Sequence, residues 1–309
     1  MNLQQLEYVL AVYEETNFSF AAEKCFVSQS TLSTMIIKLE EELGIVIFDR
    51  KSKPVGVTLE GAAIIEKIKL ILASVYDLQE MTKEMKGNLS GKVRVGVIPT
   101  VAPFLMPLFL NRFVNTYKEV HLVVQELITE SIVERIENRT LDFGIASSPL
   151  PSKYTEVISI PLYQEPFMLL DYSGHRHLLP IDIGEIDKQK LWLLAEGHCM
   201  RAQIQNLCAE NQAQKHWANL DYQAGGMDTL IRLVKKTGGL TLLPYLATLD
   251  FNEQERKQLY RFEQPTPQRE ICLLVHKNFV KKGVLNLFKT EITAAVAPFL
   301  KDFKNPATN

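Results

Sequence analysis

This 309-residue sequence has few cysteines, almost no net charge and no long apolar run. Four cysteines are too few for a secreted disulfide scaffold of this size, so a disulfide here is expected to be transient and redox-sensing. No run of about 18 apolar residues is present to cross a membrane. The N-terminal MNLQQLEYVL lacks the basic region of a signal peptide. We therefore expect a protein of the reducing cytoplasm that does not associate with membranes.

The composition fits a globular protein, with 46% hydrophobic and 23% charged residues. A chain of this length is expected to contain two or more domains. The net charge of −2 does not by itself indicate a nucleic-acid partner. Internal repeats and low-complexity segments are not evident, so the organisation has to be deduced from helix and strand patterns.

Residues 1–58 are predicted to form short helices separated by tight turns. The first helix has an apolar residue every three or four positions and Asn2 as its N-cap. Ser19 is expected to cap a second helix. A third helix is expected to begin after the N-cap Ser28 and to end at Gly44. Two short helices joined by a turn are typical of a helix-turn-helix unit.

The segment DRKSKPVGVT, residues 49–58, is predicted to form a hairpin or wing after this unit. The second helix of a helix-turn-helix enters the major groove with its N-terminal residues on base edges. The alternative is a small helical bundle with ordinary solvated faces, which the five Lys or Arg against nine Asp or Glu in residues 1–60 favour. On the DNA-binding hypothesis, the candidate base contacts are Gln29, Ser30, Thr31 and Ser33, and the candidate phosphate contacts are Lys38, Arg50, Lys51 and Lys53.

Residues 59–87 are predicted to form one long helix without proline. Its isoleucines, valine and leucine recur at the four-three spacing of a coiled-coil seam. A helix of this length cannot bury both faces alone, so we expect it to pair with a second copy of the chain. The predicted seam consists of Ile64, Ile68, Ile71, Val75 and Leu78.

Residues 88–309 alternate between predicted strands and helices, which is typical of parallel α/β folds. KVRVGVI, HLVVQEL, LDFGIAS, PFMLLD, KLWLLAEG, GLTLLP and REICLLV are the predicted strands. Paired α/β lobes place a ligand cleft at the carboxyl ends of their strands. We predict lobe I over residues 88–162 and 268–303 and lobe II over 163–267, with hinges near Pro161–Pro166 and Pro265–Pro267.

Two of the four cysteines, Cys199 and Cys208, lie close together in the sequence. Cys199 precedes a predicted helix and is flanked by His198 and Arg201. A helix N-terminus and nearby cations lower the pKa of a thiol, and the thiolate is the form that attacks peroxide. The resulting sulfenic acid can condense with a second thiol to form a disulfide.

The spacing of these cysteines constrains a disulfide between them. If residues 199–208 were one helix, the two Cα atoms would lie about 13 Å apart at about 1.5 Å per residue. A disulfide requires Cα atoms within about 7 Å. The segment would therefore have to unwind before the bond could form, and oxidation would bias a two-state element.

Two other readings of the cysteines remain open from the residues alone. Buried cysteines are commonly inert small hydrophobes, and this interpretation is preferred for Cys25 and Cys272. It is also available for Cys199 and Cys208. A metal site formed by those two cysteines with His198 and His216 departs from the two-to-four residue spacing of zinc ligands. We therefore expect no metal and no cofactor.

The blocks FSFAAEKCFVSQSTLSTMIIKLEEELGIVIFDR and VTLEGAAII closely resemble the N-terminal domain of LysR-type transcriptional regulators. The resemblance implies a winged helix-turn-helix that binds promoter DNA, followed by a dimerisation helix. It further implies an effector region of two Rossmann-like α/β lobes arranged as in periplasmic binding proteins. Dimers of such chains assemble into tetramers, and RNA polymerase is the expected partner in transcription. No enzymatic activity is expected.

The segment GHCMRAQ, followed by LC, resembles the redox segment of the peroxide-sensing OxyR branch of that family. The resemblance implies that Cys199 is the peroxidatic thiol and Cys208 the resolving thiol. It also implies a peroxide pocket formed by Thr100, Thr129, His198 and Arg269. The alternatives are that Thr100 only closes a turn and that Thr129 only caps a helix.

These expectations combine into a hydrogen-peroxide-responsive activator of oxidative-stress genes, reset by a cytosolic thiol reductant. One rival is a LysR-type regulator that binds a small metabolite in the interlobe cleft. Another is a thiol peroxidase, which the N-terminal DNA-binding block argues against. A third is an effector domain whose thiols are purely structural.

Overall fold

The computed structural model describes residues 1–85, 90–175, 177, 180–187, 190–195, 199–207, 222 and 224–304. The chain forms two compact units. The first comprises Met1–Asn88 with Asn138–Thr140, and the second comprises Leu89–Glu137 with Leu141–Asn309. Among the described residues, no helix is both long enough and apolar enough to cross a membrane.

The first unit contains four helices and a two-stranded hairpin within its described residues. Asn2 caps the first helix in a capping box with Gln5, and Ser28 caps the third, as predicted. Asn17 caps the second helix through its side chain, so the predicted cap at Ser19 is wrong. The elements are α1 Leu3–Glu15, α2 Phe18–Lys24, α3 Gln29–Leu43, β1 Phe48–Asp49, β2 Gly56–Val57 and α4 Leu59–Met85.

The core of the first unit includes residues from α4 as well as from α1 to α3. Ile68 is only 2% exposed because it packs into this core, and Ile64 packs against its edge. Ile71 and Leu78 are 41% and 64% exposed. The N-terminal part of the predicted seam therefore serves the fold of its own chain, and the exposed part begins at Ile71.

The second unit is built on one mixed sheet of seven strands in the order β4-β3-β5-β9-β6-β7, with β8 beside β6. β3 pairs in parallel with β4 and β5, whereas the pairs β5–β9, β6–β9, β6–β7 and β6–β8 are antiparallel. The elements are β3 Gly91–Val97, α5 Ala102–Thr116, β4 Val120–Glu126, α6 Thr129–Glu137, β5 Phe143–Ser148, β6 Val157–Asp171, α7 Cys199–Leu207, α8 Met227–Thr237, β7 Leu240–Pro244, α9 Glu253–Arg256, β8 Leu259–Tyr260, β9 Gln268–His276 and α10 Lys282–Lys304.

Two hydrophobic cores divide this unit into the two predicted α/β lobes. β6 crosses between them, since its first part pairs with β9 and its last five residues pair with β7. Tyr163 belongs to the first core and Phe167 to the second. The change from one core to the other thus lies between these residues.

The predicted strand KLWLLAEG is wrong. Within its described residues the segment forms only isolated bridges, Leu191 to Leu240 and Leu194 to Ala224. Its apolar side chains instead fill the core of lobe II, where Trp192 and Leu194 are buried. An apolar run bounded by turns is compatible with both outcomes, because burial does not require a continuous ladder.

Helix α6 lies unusually close to the sheet. A Cβ on Gly144 would come within 2.2 Å of Ile132 Cγ2, and one on Gly96 within 2.9 Å of Ile132 Cγ1. Only glycine permits this approach of helix to strands. The start of α6 is consequently fixed against β3 and β5.

Candidate functional site

Thr100 and Thr129 lie at the carboxyl edge of the parallel strands of lobe I. β3 and β4 pair in register from Gly91 with Val120 to Val97 with Glu126. Thr100 follows the end of β3 by three residues, and Thr129 follows the end of β4 by three. Both threonines are buried. The resemblance implies one pocket for both, and the topology brings both to the same edge.

Arg269 contacts Thr100 through two hydrogen bonds. Its Nη1 donates to Thr100 Oγ1 and its Nη2 to the Thr100 carbonyl, both at 3.0 Å. Its Nε donates to Glu165 Oε2 at 2.9 Å. Arg269 and Glu165 are only 3% and 1% exposed, so this ion pair is fully buried. The structure therefore joins two residues predicted for the site and adds Glu165, which the sequence reasoning missed.

Thr129 is the first residue of α6, and its hydroxyl has an unusual environment. Within the described part of the chain, Thr129 Oγ1 is buried and has no hydrogen-bond partner. The alternative that Thr129 caps the helix is therefore wrong. A buried hydroxyl without a partner costs about 1–3 kcal/mol of stability, which a hydrogen-bonding ligand would offset.

Cys199 opens α7 and packs against the core of lobe I. It is half-buried and forms no disulfide with any described cysteine. One turn along the same helix face, Gln203 Nε2 donates to Ser147 Oγ at 2.7 Å and to the Ser148 carbonyl at 3.2 Å. Ser147 and Ser148 end β5, so Gln203 holds α7 over the edge that carries the threonines.

Gln203 is a second site residue that the sequence reasoning missed. Among the described residues its Oε1 is buried without a hydrogen-bond partner, as is the hydroxyl of Thr129. The four-residue interval from Cys199 to Gln203 on a predicted helix was the available signal. Two buried groups with unused hydrogen-bonding capacity are suited to a small polar ligand.

Parts of the predicted site lie outside the described residues, namely His198, Cys208 and His216. Arg201, expected beside the thiol, donates from Nη1 to the Leu194 carbonyl at 2.7 Å. No group of three candidate metal ligands occurs among the residues that the structure describes.

The remaining described thiols, Cys272 and Cys25, both have a raised pKa. Cys272 lies in the middle of β9 and donates to the Ala146 carbonyl at 3.4 Å. Burial raises the pKa of its thiol to about 12. Cys25 is half-buried in the first unit, and burial raises its pKa as well. Both environments disfavour the thiolate, in agreement with the inert interpretation.

The candidate DNA-contacting residues gather at the start of α3 and around the hairpin. Gln29, Ser30 and Thr31 are exposed. Ser19 Oγ donates to Gln29 Oε1 at 2.9 Å, which connects the first turns of α2 and α3. Ser33 is half-buried and accepts a hydrogen bond from Arg50 Nη1 at 2.7 Å. The exposed lysines of this set are Lys38, Lys51 and Lys53.

Arg50 is held against the surface of the first unit by Glu40. Its Nη2 donates to Glu40 Oε2 at 3.0 Å, and its guanidinium lies 4.7 Å from the centroid of the Phe18 ring. Glu40 Oε1 accepts from the backbone N–H groups of Ile47 and Phe48 at 2.7 and 3.2 Å. The carboxylate thus connects α3 to β1 and fixes the arginine predicted to contact phosphate.

Comparison with known proteins agrees with this architecture. Residues 3–62 match the bacterial regulatory helix-turn-helix protein, lysR family, and residues 86–297 match the LysR substrate binding domain. A hydrogen peroxide-inducible genes activator from Pectobacterium carotovorum is 31% identical over 285 residues, covering 92% of this chain and 93% of the relative.

Solved structures show the same likeness. A full-length OxyR cysteine-to-aspartate variant from Pseudomonas aeruginosa superposes with a TM-score of 0.74 at 26% identity, covering 95% of this chain and 98% of that chain. A hydrogen-peroxide-bound OxyR cysteine-to-serine variant from Corynebacterium glutamicum gives 0.61 at 25% identity, covering 96% and 93%. The chain belongs to the LysR family of bacterial helix-turn-helix regulatory proteins, within its OxyR branch.

Proposed function

We propose that this chain is a hydrogen-peroxide-sensing transcriptional regulator switched by a reversible Cys199–Cys208 disulfide. The principal support is the edge of lobe I, where the buried Thr129 hydroxyl has no described partner and Gln203, on the helix that begins with Cys199, contacts Ser147 and has a second unpartnered buried atom. The relatives named for peroxide induction and peroxide binding support the same signal. Promoter DNA is the target, and oxidative-stress genes are the expected regulon.

The chemistry requires a thiolate at Cys199. Its sulfur attacks one peroxide oxygen, the O–O bond breaks, and the departing hydroxide takes up a proton to become water. The sulfur is left as a sulfenic acid. The sulfur of Cys208 then attacks it, a second water leaves, and the disulfide forms.

Side chains at the edge can orient the peroxide for this attack. Thr100 Oγ1 accepts from Arg269, so its own proton points away from the guanidinium and is available to a ligand. Thr129 Oγ1 offers a second hydroxyl. His198 is proposed as a further pocket residue. Orientation of this kind lowers the barrier because the reacting atoms are held in line.

Formation of the disulfide requires α7 to unwind. The helix is continuous from Cys199 to Leu207, and Cys208 is the next residue. The Cα atoms of Cys199 and Leu207 lie about 12 Å apart along this helix at about 1.5 Å per residue. The next Cα in the chain can be at most about 3.8 Å nearer, which still exceeds the reach of about 7 Å that a disulfide allows. Unwinding removes the contacts of Gln203 with Ser147 and Ser148, so oxidation changes how α7 sits on lobe I.

We propose that the change in the lobe affects DNA binding through the oligomer. We propose that α4 pairs two chains through its part beginning at Ile71, where Ile71 and Leu78 are exposed and Val75 is half-buried. Dimers then form tetramers, in which repacking of the lobes alters the spacing of the DNA-binding units. RNA polymerase is the proposed partner in activation, and a cytosolic thiol reductant is proposed to reset the disulfide.

A thiol-trapping mass spectrum of the full-length protein tests this proposal. Brief exposure to micromolar peroxide is expected to convert Cys199 and Cys208 into a disulfide. Cys272 serves as an internal control that stays reduced, because burial raises its pKa to about 12. Absence of the Cys199–Cys208 bond would favour the rival regulator that responds to a metabolite.

Thr129→Val is expected to slow the reaction of Cys199 with peroxide about 10-fold while leaving the protein as stable or slightly more stable. The substitution keeps the shape of the side chain but removes a buried hydroxyl that has no described partner. Stopped-flow oxidation and thermal unfolding of the same sample measure the two effects. Thr129→Ser is the control that restores the hydroxyl. A valine variant with an unchanged oxidation rate would remove Thr129 from the pocket.

The rival function, metabolite binding, has one supporting observation. A cavity of about 740 Å³ lies between the two hinge segments and the end of α10. This volume is in the range of small-molecule sites. Tyr163, Arg261, Phe262, Pro265 and Phe303 are among its lining residues.

A further inference from the structure

Glu165 is a buried carboxylate, and both of its oxygens accept hydrogen bonds. Its Oε2 accepts from Arg269 Nε and lies 2.8 Å from Arg269 Nη2. Its Oε1 accepts from the backbone N–H of Leu246 at 3.1 Å. Leu246 follows β7, so the carboxylate receives hydrogen bonds from two directions. Glu165 and Arg269 also face each other across the β6–β9 ladder.

We infer that Glu165 is a positioning residue for the peroxide reaction: it aims the Arg269 guanidinium, which in turn directs the Thr100 hydroxyl toward the peroxide. This inference rests on the proposed function. Arginine carries five N–H donors in a rigid plane and no acceptor. With Nε fixed on Glu165, that plane places Nη1 against Thr100 Oγ1 and Nη2 against the Thr100 carbonyl.

These contacts fix the direction in which the Thr100 hydroxyl donates its proton. A hydroxyl oxygen that accepts from a guanidinium must send its own proton elsewhere. Because the carbonyl of the same residue is held by the same arginine, the backbone turn after β3 is fixed as well. Without Glu165 the guanidinium could rotate, and Thr100 would lose both constraints.

The ion pair also decides which role Arg269 can play. Two opposite charges 2.8 Å apart and buried together largely cancel at longer range. Arg269 is therefore a poor counter-ion for a Cys199 thiolate. Its effect on the reaction passes through the orientation of Thr100, and only reagents that use this hydroxyl should respond to its loss.

Two thiol reagents separate positioning from simple structural support. Peroxide needs an oriented donor, whereas iodoacetamide is a neutral alkylating agent that needs only the thiolate. In full-length Glu165→Gln, the amide oxygen can still accept from Leu246 while the charge is lost. We expect the peroxide rate of Cys199 to fall about 10-fold and the iodoacetamide rate to stay within about twofold of wild type.

The control is Glu156→Gln, the same change at a half-exposed carboxylate that pairs with Lys277 just before β6. It should leave both rates unchanged. Glu165→Asp keeps the charge and provides a second variant if the glutamine protein does not fold. A peroxide rate intermediate between wild type and Glu165→Gln in that variant supports positioning.

Equal losses with both reagents would mean that Glu165 only supports the fold, which overturns the inference. Unchanged peroxide reactivity in the glutamine variant overturns it too. If wild-type Cys199 reacts with peroxide no faster than a free thiol, the proposed function fails together with the inference. A selective loss in Glu165→Gln alongside a fast wild-type reaction supports both.

Discussion

Cys199→Ser is expected to abolish the response to peroxide while leaving DNA binding intact. A serine hydroxyl in place of the thiol cannot form a sulfenic acid, so α7 receives no oxidation signal. The residues that match the helix-turn-helix family lie in the first unit, and Cys199 lies in the second. Footprinting and in vitro transcription, each with and without micromolar peroxide, measure the effect.

Cys272→Ala is the matched control for this experiment. It removes a buried thiol whose raised pKa already keeps it protonated, and the response should persist. Any loss of stability from the small cavity affects both redox states alike. A peroxide-dependent footprint that survives in Cys199→Ser would refute the assignment of the sensing thiol.

Glu40→Ala is expected to destabilise the DNA-binding unit by about 2–4 kcal/mol and to weaken promoter binding at least 10-fold. Two backbone N–H groups, of Ile47 and Phe48, lose their acceptor. Each buried unsatisfied donor costs about 1–3 kcal/mol. Arg50 also loses the carboxylate that fixes it beside Ser33, so the base of the hairpin shifts. Chemical denaturation and gel-shift titration measure the two losses.

Glu40→Gln separates the hydrogen bonds from the charge. The amide oxygen can still accept from the backbone, so the loss of stability should be about 1 kcal/mol. Any loss of promoter binding in this variant then reports the weakened ion pair with Arg50, whose own side chain is partly exposed. Equal effects of alanine and glutamine would mean that the backbone contacts contribute little.

Local signals predicted the first unit well. Asn2, Ser28 and Gly44 lie at helix ends as predicted, because capping depends on a side chain and its immediate backbone. Ser19 failed as a cap because the helix begins at Phe18, and Asn17 caps it by accepting from the N–H groups of Ser19 and Phe20. The single helix over the predicted seam is present, but the spacing of its apolar residues could not tell that Ile68 is buried in its own domain.

Residues of the candidate site could be predicted only where they belong to a recognisable motif. Thr100, Thr129 and Arg269 followed from a resemblance, and the structure joins Thr100 to Arg269 across 169 positions. Glu165 and Gln203 were missed because their partners are 104 and 56 positions away. The four-residue interval from Cys199 places Gln203 on the same helix face, but nothing local identifies the distant partner of either residue. The contact of Glu165 arises from the pairing of β6 with β9, and that of Gln203 from the packing of α7 on the end of β5.

The closeness of α6 to the sheet matters for repeated cycles of oxidation and reduction. Thr129 opens a helix that Gly96 and Gly144 allow to rest directly on the strands, so the start of α6 has little room to shift. α7, a nine-residue helix of the other lobe, is held over the same edge of the sheet by Gln203. On the proposed function, each oxidation would therefore unwind α7 and leave α6 in place. When the thiols are regenerated, α7 refolds against the same strands, and Cys199 regains its original reactivity toward peroxide.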